Sequence, residues 1–306
     1  MLARTIRSLS GPVALTAILV AVHGTPASAA WPNDPTVNVP VCTATNYQVE
    51  PSAISDGAGG MIVTWGDLRS GTSDVYAQRI SAAGVPLWTA NGVAVCSATG
   101  DQANPVLVSD GAGGAIITWG DSRSGVSDIY AQRLNANGVT QWTANGVALC
   151  TAAADQSHPE ITTDGSGGAI VGWADTRNAT GPDIYVRRIN SAGAPQWTVN
   201  GVLVCNAADF QGNVVLATDN AGGALVAWID LRNGTDYNIY VQRVSSTGLP
   251  TGTANGASVC ILVGNQTQLR GISDGAGGLI LAWQDSRTGT EYDIYAQRIS
   301  STLVGL

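Results

Sequence analysis

One stretch of sequence is written five times along this chain, and nothing else limits its fold so strongly. The string Ser109-Asp110-Gly111-Ala112-Gly113-Gly114-Ala115-Ile116-Ile117-Thr118-Trp119 returns with small changes around Trp65, Trp173, Trp228 and Trp283, at a step of 54 or 55 residues. Self-similarity at a fixed step marks a repeat architecture, in which each unit buries its faces only by stacking on its neighbours. The cysteines keep the same step, at Cys42, Cys96, Cys150, Cys205 and Cys260, but the first precedes the first full repeat and the last repeat has none. That offset predicts a ring whose last unit is completed by residues lying before the first.

Within the second copy, Pro105 to Ser109 reads as a short apolar strand. Asp110 to Gly114 supplies the glycines of a tight turn. Ala115 to Gly120 is a second strand, apolar on both faces as in a sheet packed on both sides. A loop from Asp121 to Ser127 leads to a third strand, Asp128 to Leu134. A fourth, Gly146 to Cys150, precedes a polar linker, Thr151 to His158. Four short strands per unit without a helical period predict an all-β, five-bladed β-propeller of four-stranded antiparallel blades. The final copy ends at Ile299 to Leu306 without a fourth strand, and Val37 to Cys42 stands alone before the first. The ring is therefore expected to be closed by the N-terminal strand. The repeats fall at about 46–99, 100–153, 154–208, 209–263 and 264–306, with 31–45 completing the last blade. An open array would leave two bare edges, a hazard for an exported chain.

Export is read from the N-terminus. Arg4 and Arg7, an apolar run from Pro12 to Val22 and then Ala27-Ser28-Ala29 fit a signal peptide over residues 1–29. The mature chain, 30–306, then starts near Ala30 or Trp31. The run is too short for a membrane span, so the expected product is secreted or extracellular, with the periplasm as the other location. Maturation leaves twelve arginines, no lysine and twenty-two carboxylates, a formal charge of −10. Such a surface repels phosphate backbones and anionic membranes, which argues against a nucleic-acid or membrane partner. Five units sharing one continuous core make a single domain, expected to be monomeric. Equivalent cysteines in a ring stand too far apart to bridge, so each is read as a small buried apolar residue, with an odd free or partner-linked thiol as the other reading.

Nearly all the charge belongs to the repeat. Each copy has Asp-x-Arg after the second strand (Asp67 and Arg69, Asp121 and Arg123, Asp175 and Arg177, Asp230 and Arg232, Asp285 and Arg287), and each has a glutamine before the turn (Gln48, Gln102, Gln156, Gln211, Gln266). Residues repeated five times are first of all architectural, and a forked arginine can pair bidentately with an aspartate at a blade boundary. The same loops and linkers share one face of a propeller, so their functional reading is five polar pockets for a glycan, strengthened by avidity. Catalysis has little to draw on. His158 is the one histidine of the mature chain and reads as a solvated linker residue, no nucleophile motif accompanies it, and no metal-ligand spacing occurs. Two acids outside the repeat, Glu50 and Glu160, fall on or beside first strands and are the minimum for a glycosidase, though solvated or paired glutamates explain them too. Tyr47, Phe210, Arg187, Tyr237, Tyr292 and Arg270 break the symmetry, through drift or by individualising one pocket. The turn aspartates Asp56, Asp110, Asp164 and Asp274 read as turn formers rather than calcium ligands.

The Asp-Gly-x-Gly-Gly turn, the Trp-x-Asp-x-Arg that follows and the strand Asp-Ile-Tyr-Ala-Gln-Arg, as at Asp128 to Arg133 and Asp293 to Arg298, resemble a repeat of large exported bacterial proteins that often carry cell-surface sorting domains. The resemblance covers the whole mature chain and implies a propeller and export. WD and kelch repeats differ from it in motif and order, and tachylectin-type lectins offer a five-bladed analogy in architecture only. The expected function is a non-enzymatic binding module for glycans, without cofactor or metal. A surface scaffold for another protein is the alternative and a glycoside hydrolase the remote one.

Overall fold

The computed structural model describes residues 31–306 apart from 33, 179 and 290, so the expected signal peptide at 1–29 and the start at Ala30 lie outside the described residues. Each repeat folds into one antiparallel sheet, giving the five sheets of a β-propeller. Blade 1 comprises Gln48–Ser55, Met61–Asp67, Asp74–Ile80 and Val93–Cys96, and blade 2 comprises Gln102–Ser109, Ala115–Asp121, Asp128–Leu134 and Val147–Cys150. Blades 3 and 4 keep this order from Gln156 and Gln211 onward and add a two-residue strand, Pro195–Gln196 or Pro250–Thr251, on the third strand beside the fourth. Blade 5 has three strands, Gln266–Ser273, Leu279–Asp285 and Asp293–Ile299. No helix among the described residues is long and apolar enough to cross a membrane.

The glycine turn is built by its aspartate. Asp110 Oδ1 accepts from the N–H groups of Ala112 and Gly114, both at 2.8 Å, while Asp110 Oδ2 receives Arg133 from the third strand at 2.9 Å. Gly111 and Gly113 sit at φ 74° and 83°, backbone that a side chain would strain. The turn thereby locks the inner hairpin to the third strand.

The core lies between blades. Val75, Val95 and Cys96 of blade 1 pack on Leu107, Ile117, Trp119 and Leu134 of blade 2 in one buried cluster, and later boundaries repeat the pattern. The second strands of blades 1 to 4 are consequently buried along nearly their whole length, Ala169–Asp175 without exception, whereas that of blade 5 is buried on alternate residues.

The two ends of the array differ from the other boundaries. Cys42 Sγ lies 3.8 Å from Asp67 Oδ2, Arg69 reaches the same sulfur at 3.3 Å, and Thr43 N donates to Asn91 Oδ1 at 2.8 Å. Cys96, Arg123, Ser97 and Asn145 make the same contacts across the first boundary. Val37 to Cys42 thus holds, on blade 1, the place a fourth strand holds on its next neighbour. Among the described residues it enters no ladder, and the third strand of blade 5 pairs only with the second apart from an isolated bridge, Ile299 with Gly305. On the far side of blade 5, Ile272 and Ile294 are 67% and 73% exposed.

Candidate active site

The repeated polar residues form structural clamps. Asp121 is fully buried; its two carboxylate oxygens take Arg123 Nε at 2.8 Å and Nη2 at 2.5 Å, and Oδ2 also takes the Trp119 indole at 2.8 Å. Arg123 goes on to the Cys96 sulfur and the Asn145 carbonyl and lies 3.9 Å over the Tyr130 ring. Asp67 with Arg69, Asp175 with Arg177, Asp230 with Arg232 and Asp285 with Arg287 repeat the pairing. Burial works to raise the Asp67 carboxyl, but hydrogen bonds from Arg69 and the Trp65 indole outweigh it and hold it at about 2. The thiols are part of the same clamps rather than plain apolar filler, and burial pushes Cys96 and Cys205 up to about 12. All five cysteines are unbridged.

Gln102, Gln156, Gln211 and Gln266 have no exposed surface and tie down the linkers that lead into their own strands; Gln102, for example, donates to the Gly100 carbonyl at 3.1 Å. Gln48, more open, does the same to Asn46. Trp88, Trp142 and Trp197 each donate to a turn carbonyl of the next blade: Ala136, Ser191 and Ser246. Each Asp-x-Arg pair is therefore engaged with itself and its blade boundary, while the glutamines bond their linkers by the amide nitrogen and leave the Oε1 of Gln102, Gln156, Gln211 and Gln266 buried without a partner.

A backbone feature collects the other polar residues. In every first strand the register slips, as between Val49 and Ser52 or between Ala103 and Val106. The slip puts one residue per strand in left-handed backbone: Glu50, Asn104, His158, Asn213 and Gln268, all with φ of 50° to 52°. Such β-bulges re-aim side chains and are frequent beside active sites. They also explain why the first strands begin at Gln102 and its equivalents rather than at Pro105. Pro51, Pro105 and Pro159 have no N–H to give, and a strand tolerates them where its ladder is already interrupted.

The bulges face a common cavity of about 670 Å³, bordered by all five first strands and lined by Glu50, Asn104, His158, Asn213, Glu160 and Arg270. His158, expected in a solvated linker, is thus on the first strand of blade 3 and in this cavity. Glu50 Oε2 accepts the Asn104 N–H at 2.7 Å, which fixes its carboxylate against the next blade. Glu160 is exposed to solvent within the cavity, whose walls stand around it. Burial raises its carboxyl to about 7, against the opposing charge of Arg270. The cavity therefore pairs a carboxyl able to carry a proton near neutrality with a second carboxyl and a cation. Among the described residues no cluster of His, Cys, Asp and Glu is fit to hold a metal ion.

The sequence matches no protein-family model and no curated relative. Solved structures share the fold. A protein of unknown function from Dyadobacter fermentans aligns with a TM-score of 0.54 at 10% identity, covering 86% of this chain and 81% of that one. An α-L-arabinanase from Penicillium chrysogenum complexed with arabinobiose aligns at 0.51 and 12% identity, covering 83% and 82%. A mutant α-L-arabinofuranosidase from Fusarium graminearum in complex with an iminosugar inhibitor aligns at 0.50 and 11%, covering 84% and 82%. The expectation of a non-enzymatic binding module, whether lectin or scaffold, is corrected on two grounds: the neighbours of stated activity named here are glycosidases, and the repeated Asp and Arg on which that expectation rested are paired with each other.

Proposed function

We propose that this chain is a glycoside hydrolase whose chemistry takes place in the cavity among the five first strands. The observation that carries the reading is geometric: Glu160, Glu50 and Arg270 line one cavity among the five first strands, where desolvation pushes the Glu160 carboxyl up to about 7. Glycosidic cleavage needs two carboxyl groups in unlike states, one protonated to release the leaving oxygen and one ionised to serve the opposite face of the sugar. Glu160 is the general acid. As its proton moves to the glycosidic oxygen, Arg270 stabilises the carboxylate left behind. Glu50, tethered by the Asn104 amide, is the second carboxyl group, acting on water or on the anomeric carbon. His158, Asn104 and Asn213 offer hydrogen bonds to hydroxyls.

The neighbours' names make arabinose-containing glycans the first substrates to try. The experiment is turnover of aryl glycosides and plant polysaccharides by the purified protein, with Glu160→Gln and Glu50→Gln alongside. Each substitution is expected to lower kcat by about 10²- to 10⁴-fold. Unchanged turnover in either variant, or a wild type that cleaves no glycoside, overturns the proposal.

We also infer that the ring closes, with Val37 to Cys42 as the outer strand of blade 5 and the bare face of that blade against blade 1. The support is the set of contacts these residues already make with Asp67, Arg69 and Asn91, identical in kind to those at the other boundaries. Hydrogen exchange tests it: Asp293 to Ile299 should be protected like Asp128 to Leu134, and rapid exchange along that edge excludes closure. The same reading takes the protein as exported, and N-terminal sequencing of the mature form is expected to begin near Ala30.

A further inference from the structure

One blade boundary departs from the repeat in three places at once. In blades 2, 3 and 5 the residue before the repeated glutamine ties down the preceding blade. Asp101 Oδ1 accepts Ser73 N at 2.9 Å, Asp155 Oδ1 accepts Ser127 N at 2.9 Å and Asn265 Oδ1 accepts Tyr237 N at 3.0 Å. At the boundary of blades 3 and 4 the tie is gone. Phe210 stands where the acid or amide should be, and Pro182, which has no N–H, stands where the donor should be. Neither group is left orphaned, so the two changes fit each other.

The third change directs the ring. Gly212 occupies the place held by Val49, Ala103, Ser157 and Thr267 in the other blades, and a Cβ there would collide with the Phe210 ring. Its absence lets the ring lie down over the first strand. Tyr237 meets Phe210 edge-on, with centroids 5.9 Å apart and planes at 84°, and this holds the ring in place. Phe210 remains 37% exposed. It lines a second cavity of about 610 Å³ that continues the first, since His158, Glu160, Asn213 and Arg270 border both.

We propose that Phe210, set on Gly212 and braced by Tyr237, is the stacking platform of a sugar subsite next to Glu160, so that a glycan chain leaves the cavity between blades 3 and 4. This rests on the hydrolase reading and adds to it a binding direction and a preference for oligomers over single sugar units. A flat, partly exposed ring receives the apolar face of a sugar, while Gln268, Asn213 and His158 at the border meet its hydroxyls. Drift alone would not have changed donor, acceptor and pedestal together.

The test compares kcat/KM of wild type, Phe210→Ala and Gly212→Val on an aryl monoglycoside and on arabino-, xylo- and cello-oligosaccharides of increasing length. Melting temperatures serve as the folding control. Gly212→Val keeps the ring but tips it off its seat. Both variants should lose about tenfold more on the preferred tetrasaccharide than on the monoglycoside, the size expected of one stacking contact. An equal loss at all lengths, or none, overturns the platform. Calorimetric binding of the same oligosaccharides to Glu160→Gln, with and without Phe210→Ala, separates the two proposals. Binding that requires Phe210, together with a wild type that cleaves no glycoside, upholds the platform and sinks the hydrolase, and binding that is absent or indifferent to Phe210 sinks the platform.

Discussion

At the scale of single residues, charge does two separate jobs. The clamp aspartates are buried and paired, so removing one partner leaves a charge or donor without compensation. Asp121→Asn should cost about 3 kcal/mol, read by denaturant unfolding, whereas Asp101→Asn, which keeps an acceptor as Asn265 does naturally, should be nearly neutral. Glu160 works the other way. Its carboxyl stands at about 7 when folded against an ordinary 4.5. Below 4.5 it is protonated in both states and costs nothing; as pH rises through 7 the folded state loses stability relative to the unfolded chain, which gives up its proton sooner. Wild type should therefore lose stability relative to Glu160→Gln between about pH 4 and pH 8, and hydrolysis should fall along an alkaline limb centred near 7. A limb that survives in Glu50→Gln but shifts in Arg270→Gln would tie it to Glu160. Arg187 is a third case: it replaces the glutamine that in blades 1 and 2 accepts two backbone N–H groups, as Gln132 accepts those of Arg133 and Trp142. Burial lowers its pKa, and its bonds go to the carbonyls of Leu149 and Gln196. Restoring the consensus with Arg187→Gln is expected to stabilise by about 1 kcal/mol, seen as a higher Tm.

At the scale of the strand, the bulge decides the site. Five residues of four types share left-handed backbone, and of these types asparagine and histidine are the ones enriched there. Asn104→Val, with a β-branched residue at φ 52°, should cost about 1–2 kcal/mol, and Asn104→Gly should not; equal losses would mean that the side chain, not the backbone, matters there. This explains what could be read beforehand. The second and third strands, Ala115–Asp121 and Asp128–Leu134, were legible because apolar faces recur at every copy and the Asp-Gly-x-Gly-Gly turn fixes where they begin. The first strands were legible only from Pro105 on, because a proline looks like a strand's start when no ladder is in view. The site was hidden for the same reason. Glu50 and Glu160 could be picked out as acids outside the repeat and Arg270 as a break in symmetry, but repetition gave the weight to Asp121 and Arg123, which the fold consumes, and the meeting of these three with His158 follows only when five strands converge. The available signal was their common offset from the repeated glutamine: two residues for Glu50 and His158, four for Glu160 and Arg270.

At the scale of the molecule, stability is shared among boundaries. Residues 37–43 cover Val63 and Trp65, which are 7% and 4% exposed, with Val41 and Cys42 beside them. Deleting residues 31–43 should uncover that indole, shift its emission to the red and cost about 2–3 kcal/mol; an unchanged spectrum would show that other residues cover Trp65. The five inner pivots have a separate consequence. Since the backbone turn is the same at each while the group it carries differs, the reactive equipment of this fold can be exchanged one side chain at a time, with the walls and their clamps untouched. Heritable change in what the cavity can receive is thereby uncoupled from change in how well the propeller body survives heat.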